Sequence, residues 1–110
     1  MDELELACFK MISVLGAARS SFVESMRCSR QHQFEQAILL LEEGEAYRQQ
    51  GHEHHFKLLQ KDSEQALKSL PLLLVHAEDQ LMSCEVLEIV ARELLETHQM
   101  IAALLENKGE

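Results

Sequence analysis

The fold is decided by an apolar run that carries a histidine and a carboxylate one helical turn apart, LLLVHAEDQLMSC at residues 72–84. Residues i, i+3, i+4 and i+7 share one face of a helix. A polar island therefore interrupts the run, and its members are His76, Asp79, Gln80 and Ser83. A helix that served only as core would carry Leu or Ile at these places. The stretch predicts a long helix with chemistry on one face.

Two apolar stripes follow the same predicted helix. One continues the register of the polar island, at Leu73, Leu87, Val90, Leu94, Ile101 and Leu104. The other runs beside it, at Leu70, Leu74, Ala77, Leu81, Cys84, Ala91, Leu95, Ala102 and Leu105. One stripe can cover the chain's own core while the other faces copies of the chain. The wide apolar arc predicts a homo-oligomer with the third helices near its axis.

The composition indicates one all-α domain over residues 1–110. The chain has one proline, four glycines and few aromatic residues, and its length suffices for a single core. Its formal net charge is −9. Nucleic acid is not an expected partner, because phosphate binding relies on clustered Lys and Arg.

The cysteines and the start of the chain point to the cytoplasm. Cys8, Cys28 and Cys84 are an odd number without CxxC spacing, so neither a disulfide framework nor a zinc finger is expected. Reduced thiols fit the cytosol. The first residues are acidic where a signal peptide would be basic, and the apolar run from Leu70 to Val75 is too short to span a membrane. We expect a soluble, cytoplasmic protein.

Three long helical patterns predict a three-helix antiparallel bundle. Their predicted limits are about Asp2 to Ser29 for the first, a start near Phe34 for the second, and Ser69-Leu70-Pro71 to about Glu106 for the third. Residues 29–33 form a polar turn, and residues 107–109 form a polar stop. Residues 61–65 are also polar, which fits either a frayed helix end or a loop.

Small residues predict where helices approach closely. A glycine inside a helix costs about 1 kcal/mol relative to alanine. Gly44 and Gly51 therefore indicate close packing in the second helix, or else a local kink. Residues 16–18, with the sequence GAA, predict a packing notch in the first helix.

The residues alone leave several roles open for His76. An imidazole near neutral pH can be a base, a metal ligand or a nucleophile, and Asp79 can orient it or hold a cation. A hydrogen-bonded core histidine is the plain alternative. His52 and His55, also one turn apart, suit a transition-metal pair, although Phe56 stands where HExxH would need a histidine.

Four stretches resemble one family. The stretch at 72–84 resembles LVLVHAQDHLMTS, the signature of the IIA component of the lactose/cellobiose class of the bacterial phosphoenolpyruvate-dependent sugar phosphotransferase system. GAARS at 16–20 resembles the family's GQARS, and FEQA at 34–37 resembles its GDFAxA turn. GHEHHFKLL at 51–59 resembles its AHxxQTxLI segment. The resemblance covers nearly the whole chain.

The resemblance implies a homotrimeric three-helix bundle that carries a phosphoryl group. In the family, the first histidine of the signature, which is His76 here, accepts the group from the phosphocarrier HPr. It then passes the group to the IIB component, which phosphorylates an incoming sugar, and the membrane IIC component is met only indirectly. The aspartate, Asp79 here, meets its two symmetry mates near the trimer axis and holds a divalent cation such as magnesium.

The sequence departs from the family at positions that surround the phosphorylated histidine. The second histidine of the signature is Gln80 here, and the glutamine of AHxxQT is His55. Our hypothesis is that the two positions have exchanged roles, so that His55→Ala slows transfer much more than Gln80→Ala; the alternative is an exposed His55 and a neutral Gln80. His52, which matches the family's AH, is a further supporting residue. Glu78 replaces a glutamine and adds negative charge. Arg19 either neutralises the phosphoryl group or is a solvated or salt-bridged arginine.

Three functions follow from these observations. The first is a phosphocarrier subunit that works with HPr and IIB on a sugar of the lactose, cellobiose or chitobiose type. The alternative is a non-catalytic helical-bundle interaction or regulatory module in which Glu78 and Gln80 have made the site inactive. The third, a plain metal-binding or scaffold protein, requires the resemblance to be accidental.

Overall fold

The residues that the structure describes form three long helices. The computed structural model describes residues 3–65 and 72–109, and within them the side chains of 3–60 and 72–108. The helices are α1, Glu3–Arg30; α2, Phe34–Gln65; and α3, Leu72–Gly109. Their bundle measures 66 × 18 × 17 Å, and the described residues contain no strand. The predicted all-α fold of three long helices is confirmed.

Helix α2 runs antiparallel to both of its neighbours. Residue numbers rise along one helix as they fall along the other in each contact pair: Phe22 with Gly44, Leu15 with Gly51, Arg48 with Glu88, and His55 with Glu78. Helices α1 and α3 therefore run parallel to each other, and they also pack directly together, as the contact between Cys84 and Leu15 shows. The predicted antiparallel arrangement is confirmed.

The core lies along the inner faces of all three helices. Its fully or almost fully buried members are Cys8, Met11, Leu15, Ala18, Phe22, Ala37, Leu41, Leu58, Leu74, Ala77, Leu81, Cys84, Ala91 and Leu95. From Leu74 to Leu95, the second of the two predicted stripes on α3 is thus the core stripe, whereas Leu105 at its end is 58% exposed. Helix α1 alone among the described helices is long and apolar enough to cross a membrane, a test that the core helix of a soluble bundle also passes.

The glycines of α2 mark points of close approach, as predicted. A Cβ atom on Gly44 would lie 2.5 Å from Cε1 of Phe22, and one on Gly51 would lie 2.5 Å from Cδ2 of Leu15. Both neighbouring side chains are fully buried. A missing side chain at each position lets α1 and α2 pack together.

The packing notch predicted at residues 16–18 is wrong at its first position. Nothing lies within 4 Å of the place where a Cβ of Gly16 would stand. The physical reason is the helical rotation of about 100° per residue. Leu15 and Ala18 face the core, and this turns Gly16 toward the exposed side of α1.

A tight turn joins α1 to α2. The backbone N–H of Gln33 donates to the carbonyl of Cys28 at 2.8 Å, and that of His32 donates to Ser29 at 3.0 Å. These two bonds form the usual helix-ending motif whose left-handed position favours glycine. His32 occupies that position with φ of 60°. The carbonyl of Gln33 then accepts from Ala37 N–H at 3.0 Å and begins α2.

The structure decides between two predictions for the end of α2 and corrects the predicted end of α3. Residues 61–65 are helical, so of the two interpretations the helix end is correct. The polar stop predicted at 107–109 is wrong, because α3 continues to Gly109. Exposed polar residues do not end a helix by themselves, and the Lys108 cation in the last turn interacts favourably with the helix dipole. The start predicted at Ser69-Leu70-Pro71 lies outside the described residues.

Candidate functional site

Helix α3 places the polar island at the border between the core and the outer surface. Leu74, Ala77 and Leu81 point into the core. His76 and Asp79 are exposed, whereas Gln80 is half-buried. The imidazole of His76 is therefore open to a partner while the backbone that carries it is packed against the bundle.

Asp79 lies in the middle of an exposed apolar face, here called the outer face of α3. Its apolar members are Leu72, Val75, Met82, Val86, Ile89, Val90, Met100, Ile101 and Leu104. Leu72 is 83% exposed. Steps of three and four residues separate positions 72, 75, 79, 82, 86 and 89, which is the heptad spacing of helices that associate side by side.

Sequence reasoning missed most of this outer face. It assigned the seam to the register of His76, but Leu73, Leu87 and Leu94 in that register are half-buried in the bundle. The signal was present in the heptad steps that run through Asp79.

Helix α2 brings His55 against α3 beside the polar island. The Nε2 atom of His55 lies 3.5 Å from an Oε1 atom of Glu78, two residues after His76. The His55 side chain is 18% exposed and that of Glu78 is 42% exposed. His55 Nε2 is itself buried and has no hydrogen-bond partner among the described residues. No local sequence pattern predicts this pair, because it depends on the register between two helices.

Arg19 lines a shallow groove between α1 and α3. The groove has a volume of about 430 Å³ and is lined by Arg19, Met82, Ser83, Val86 and Leu87. Arg19 is exposed and makes no ion pair with any side chain that the structure describes. The Arg19 guanidinium is therefore not neutralised by a described side chain. It lies on the side of the bundle where Ser83, the last residue of the polar island, is found.

The other histidines that the structure describes do not assemble into a metal site. His52 is exposed on α2. His32 stacks on Phe34 with ring centroids 5.3 Å apart, and its ring centroid lies 6.1 Å from that of His98. Within residues 3–60 and 72–108, no three His, Cys, Asp or Glu side chains cluster in a way that would hold a metal ion. The zinc interpretation gains no support.

Charged side chains tie α2 to α3 further along the bundle. Arg48 Nε donates to Glu88 Oε1 at 2.6 Å, and both side chains are largely buried. Arg92 donates both to Glu88 at 3.1 Å and to Glu45 at 3.0 Å. A network of alternating charges contributes more than an isolated surface pair. These ion pairs form in the same register of α2 against α3 that brings His55 to Glu78.

Cys84 shows that the inner side of the same helix is apolar. Its thiol donates to the carbonyl of Leu15 at 3.2 Å. Burial raises the pKa of the Cys84 thiol, and the positive charges of Arg19 and Arg48 oppose that rise. A buried, protonated thiol is a poor nucleophile, so Cys84 belongs to the core and not to the site.

Comparison with known proteins identifies the family. A model of the lactose/cellobiose-specific IIA subunit of the phosphotransferase system matches residues 6–99. The oligo-beta-mannoside-specific EIIA component of Bacillus subtilis is 33% identical over 92 residues, which are 84% of each chain. In fold, the cellobiose-specific enzyme IIA of Bacillus anthracis matches with a TM-score of 0.87 and 23% identity over 94% of each chain.

A third relative is solved as a complex. It is the IIA component of the N,N'-diacetylchitobiose branch of the Escherichia coli phosphotransferase system, bound to HPr. It matches with a TM-score of 0.81 and 25% identity, over 93% of this chain and 99% of its own. These similarities place the chain among the phosphotransferase subunits that carry phosphoryl groups for sugar uptake. Within that class, the chain belongs to the lactose/cellobiose-specific IIA family.

Proposed function

We propose that His76 is the phosphorylated residue, and that it receives the phosphoryl group from HPr and passes it to a IIB component. The observation that carries this proposal is the exposed imidazole of His76 on a firmly packed helix, inside the stretch that resembles the family signature. The Escherichia coli relative's complex with HPr supports the same donor for this chain.

The chemistry requires position and access more than new covalent machinery. A neutral imidazole nitrogen of His76 attacks the phosphorus of phospho-HPr, and one P–N bond forms as the donor's P–N bond breaks. Donor and acceptor proteins must in turn reach the same nitrogen, which the exposure of His76 allows. A rigid helix holds the nucleophile in one place and reduces the entropy cost of each transfer. Gln80, His52 and His55 are the proposed supporting residues.

The outer face of α3 supports a homotrimer with a cation on its axis. Packed three together, the outer faces would bury apolar side chains that one chain leaves in water. Three Asp79 carboxylates would then converge and repel one another, and a hard divalent cation such as magnesium would hold them. The cation site would be absent from a single chain, since each chain contributes one such carboxylate.

The sugar is of the lactose, cellobiose or chitobiose type, and the setting is the cytoplasm. The membrane IIC component meets this subunit only through IIB. The Bacillus subtilis relative serves an oligo-beta-mannoside, so members of the family differ in the sugar that they serve.

Intact-mass analysis tests the carrier role. The purified protein is incubated with phosphoenolpyruvate, enzyme I and HPr, beside His76→Ala and a control, His98→Ala, that changes a histidine elsewhere on the same helix. We expect an acid-labile gain of one phosphoryl group in the parent and the control, and none in His76→Ala. A parent that takes up nothing while HPr is phosphorylated would favour the non-catalytic module.

Thermal unfolding tests the cation site. Magnesium should raise the melting temperature of the parent trimer and leave Asp79→Asn unchanged, because the variant has lost the ligand charge. In the presence of a chelator, Asp79→Asn should melt above the parent, since the repulsion between three carboxylates is gone. An equal response of parent and variant to magnesium would contradict the assignment of Asp79.

A further inference from the structure

The pair formed by His55 and Glu78 is the feature of the site that the phosphocarrier role does not yet explain. His55 Nε2 is buried, lies 3.5 Å from Glu78 Oε1, and has no other partner among the described residues. A buried polar nitrogen without a hydrogen bond carries a free-energy penalty. A movement of about 0.5 Å brings this nitrogen within hydrogen-bond distance of the carboxylate, and that contact removes the penalty.

The negative charge of Glu78 opposes the proposed phosphorylation of His76. It stands two residues from His76, and a phosphoryl group on His76 would add about two negative charges nearby. Repulsion between the Glu78 carboxylate and the phosphoryl group would raise the energy of the phosphorylated form. Two residues correspond to a rotation of about 200° around the helix, so Glu78 faces α2 while His76 faces away from it. The Glu78 side chain is nevertheless 42% exposed, so without a hydrogen bond to α2 its carboxylate can leave the α2 side for solvent.

We propose that His55 is a positioning residue for phosphoryl transfer, whose Nε2–H holds the Glu78 carboxylate on the α2 side of α3, away from the phosphoryl group on His76. The inference rests on the proposed phosphorylation of His76. His55 need not touch the reacting atoms, and either a neutral or a protonated imidazole can donate the bond.

The chain offers matched variants that separate this role from a general effect on the fold. His55→Ala removes the donor, whereas His55→Gln keeps an N–H group that can reach the carboxylate. Glu78→Gln removes the charge that needs to be held. His54→Ala changes the neighbouring half-buried histidine, which has no contact with Glu78 in the structure's ion pairs.

The readout is the equilibrium constant for phosphoryl exchange with phospho-HPr, measured from the phosphorylated fractions of both proteins. We expect His55→Ala to lower this constant by about three- to tenfold, the size of the repulsion between the released carboxylate and a phosphoryl group across solvent. His55→Gln and His54→Ala should stay within about twofold of the parent. The double variant His55→Ala with Glu78→Gln should return to the value of Glu78→Gln alone.

Two outcomes would overturn the inference while leaving the carrier role intact. One is an unchanged equilibrium constant in His55→Ala, and the other is a double variant as impaired as His55→Ala. Failure of the parent and of every variant to take up a phosphoryl group from phosphorylated HPr would instead overturn the proposed function, and the inference with it.

Discussion

The interior of the bundle and the outer face of α3 are both apolar, but the chain fills only the interior by itself. Inside, Phe22 occupies the space that a side chain at Gly44 would need. On the outer face, Val86 is 60% exposed, although it is as apolar as any core residue. Folding therefore depends on one face of α3, and assembly of the proposed trimer would depend on another. Asp79 lies on the face that assembly would cover.

The largest effect is expected from a charge on the outer face. Val86→Glu would bring three further carboxylates together in the proposed trimer, where burying unpaired charge is costly. We expect the variant to dissociate into helical monomers, as measured by light scattering and circular dichroism. The loss of the trimer should be complete at micromolar protein concentration.

Leu39→Glu is the matched control for that variant. Leu39 is 59% exposed, nearly the same as Val86, but it lies on α2. The control should remain trimeric. A trimer that survives Val86→Glu, or one that Leu39→Glu disrupts equally, would show that the outer face of α3 is not the assembly surface.

A smaller effect is expected in the interior, at Gly44. Gly44→Ala places a Cβ atom 2.5 Å from the buried Phe22 ring, which must move. Overpacking costs about 1–3 kcal/mol, and the better helix propensity of alanine returns about 1 kcal/mol. Chemical denaturation at fixed protein concentration should therefore show a net loss of up to about 2 kcal/mol.

Gly16→Ala should change the free energy of unfolding in the opposite direction from Gly44→Ala. The position is open within the chain, so the substitution should raise the free energy of unfolding by about 0.5–1 kcal/mol. A loss at Gly16 would mean that another copy of the chain covers this part of α1.

The sequence predicted the elements well because hydrophobic period is a local signal. Heptad and turn patterns placed three helices and close packing at Gly44. The same patterns could not say which face of α3 lies against the core, since Leu81 and Met82 are both apolar. Burial of Leu81 and exposure of Met82 follow from how α1 and α2 cover the helix, which is a long-range property.

The candidate site was predictable only in the part that one helix carries. His76 and Asp79 are one turn apart on α3, so their spacing alone made them a pair. The contact between His55 and Glu78 joins residues 23 positions apart in sequence across two helices. Its geometry depends on the register of α2 against α3, in which Arg48 also pairs with Glu88, and no local pattern reports that register.

Two buried serines of α1 provide a finer comparison within the interior. Ser25 Oγ donates to the carbonyl of Ala37 at 2.8 Å, whereas Ser29 Oγ is buried without a partner among the described residues. Ser25→Ala should cost about 1 kcal/mol, and Ser29→Ala should be neutral or stabilising because it removes an unpaired polar atom. Equal losses in urea denaturation would contradict this assignment of the two hydroxyls.

The smallest effect concerns Cys84 and is confined to alkaline solution. Because burial raises the pKa of this thiol in the folded state, the folded chain holds the proton more tightly than the unfolded chain. The unfolded state then loses its proton first as pH rises, so the stability from the protonated thiol is complete below about pH 8 and declines above about pH 9. Cys84→Ala, compared with its own value at pH 7, should lose less stability between pH 8 and 10 than the parent does. An identical alkaline decline in both proteins would assign it to other groups, and rapid alkylation of Cys84 in the folded parent would contradict the closed interior on which the comparison depends.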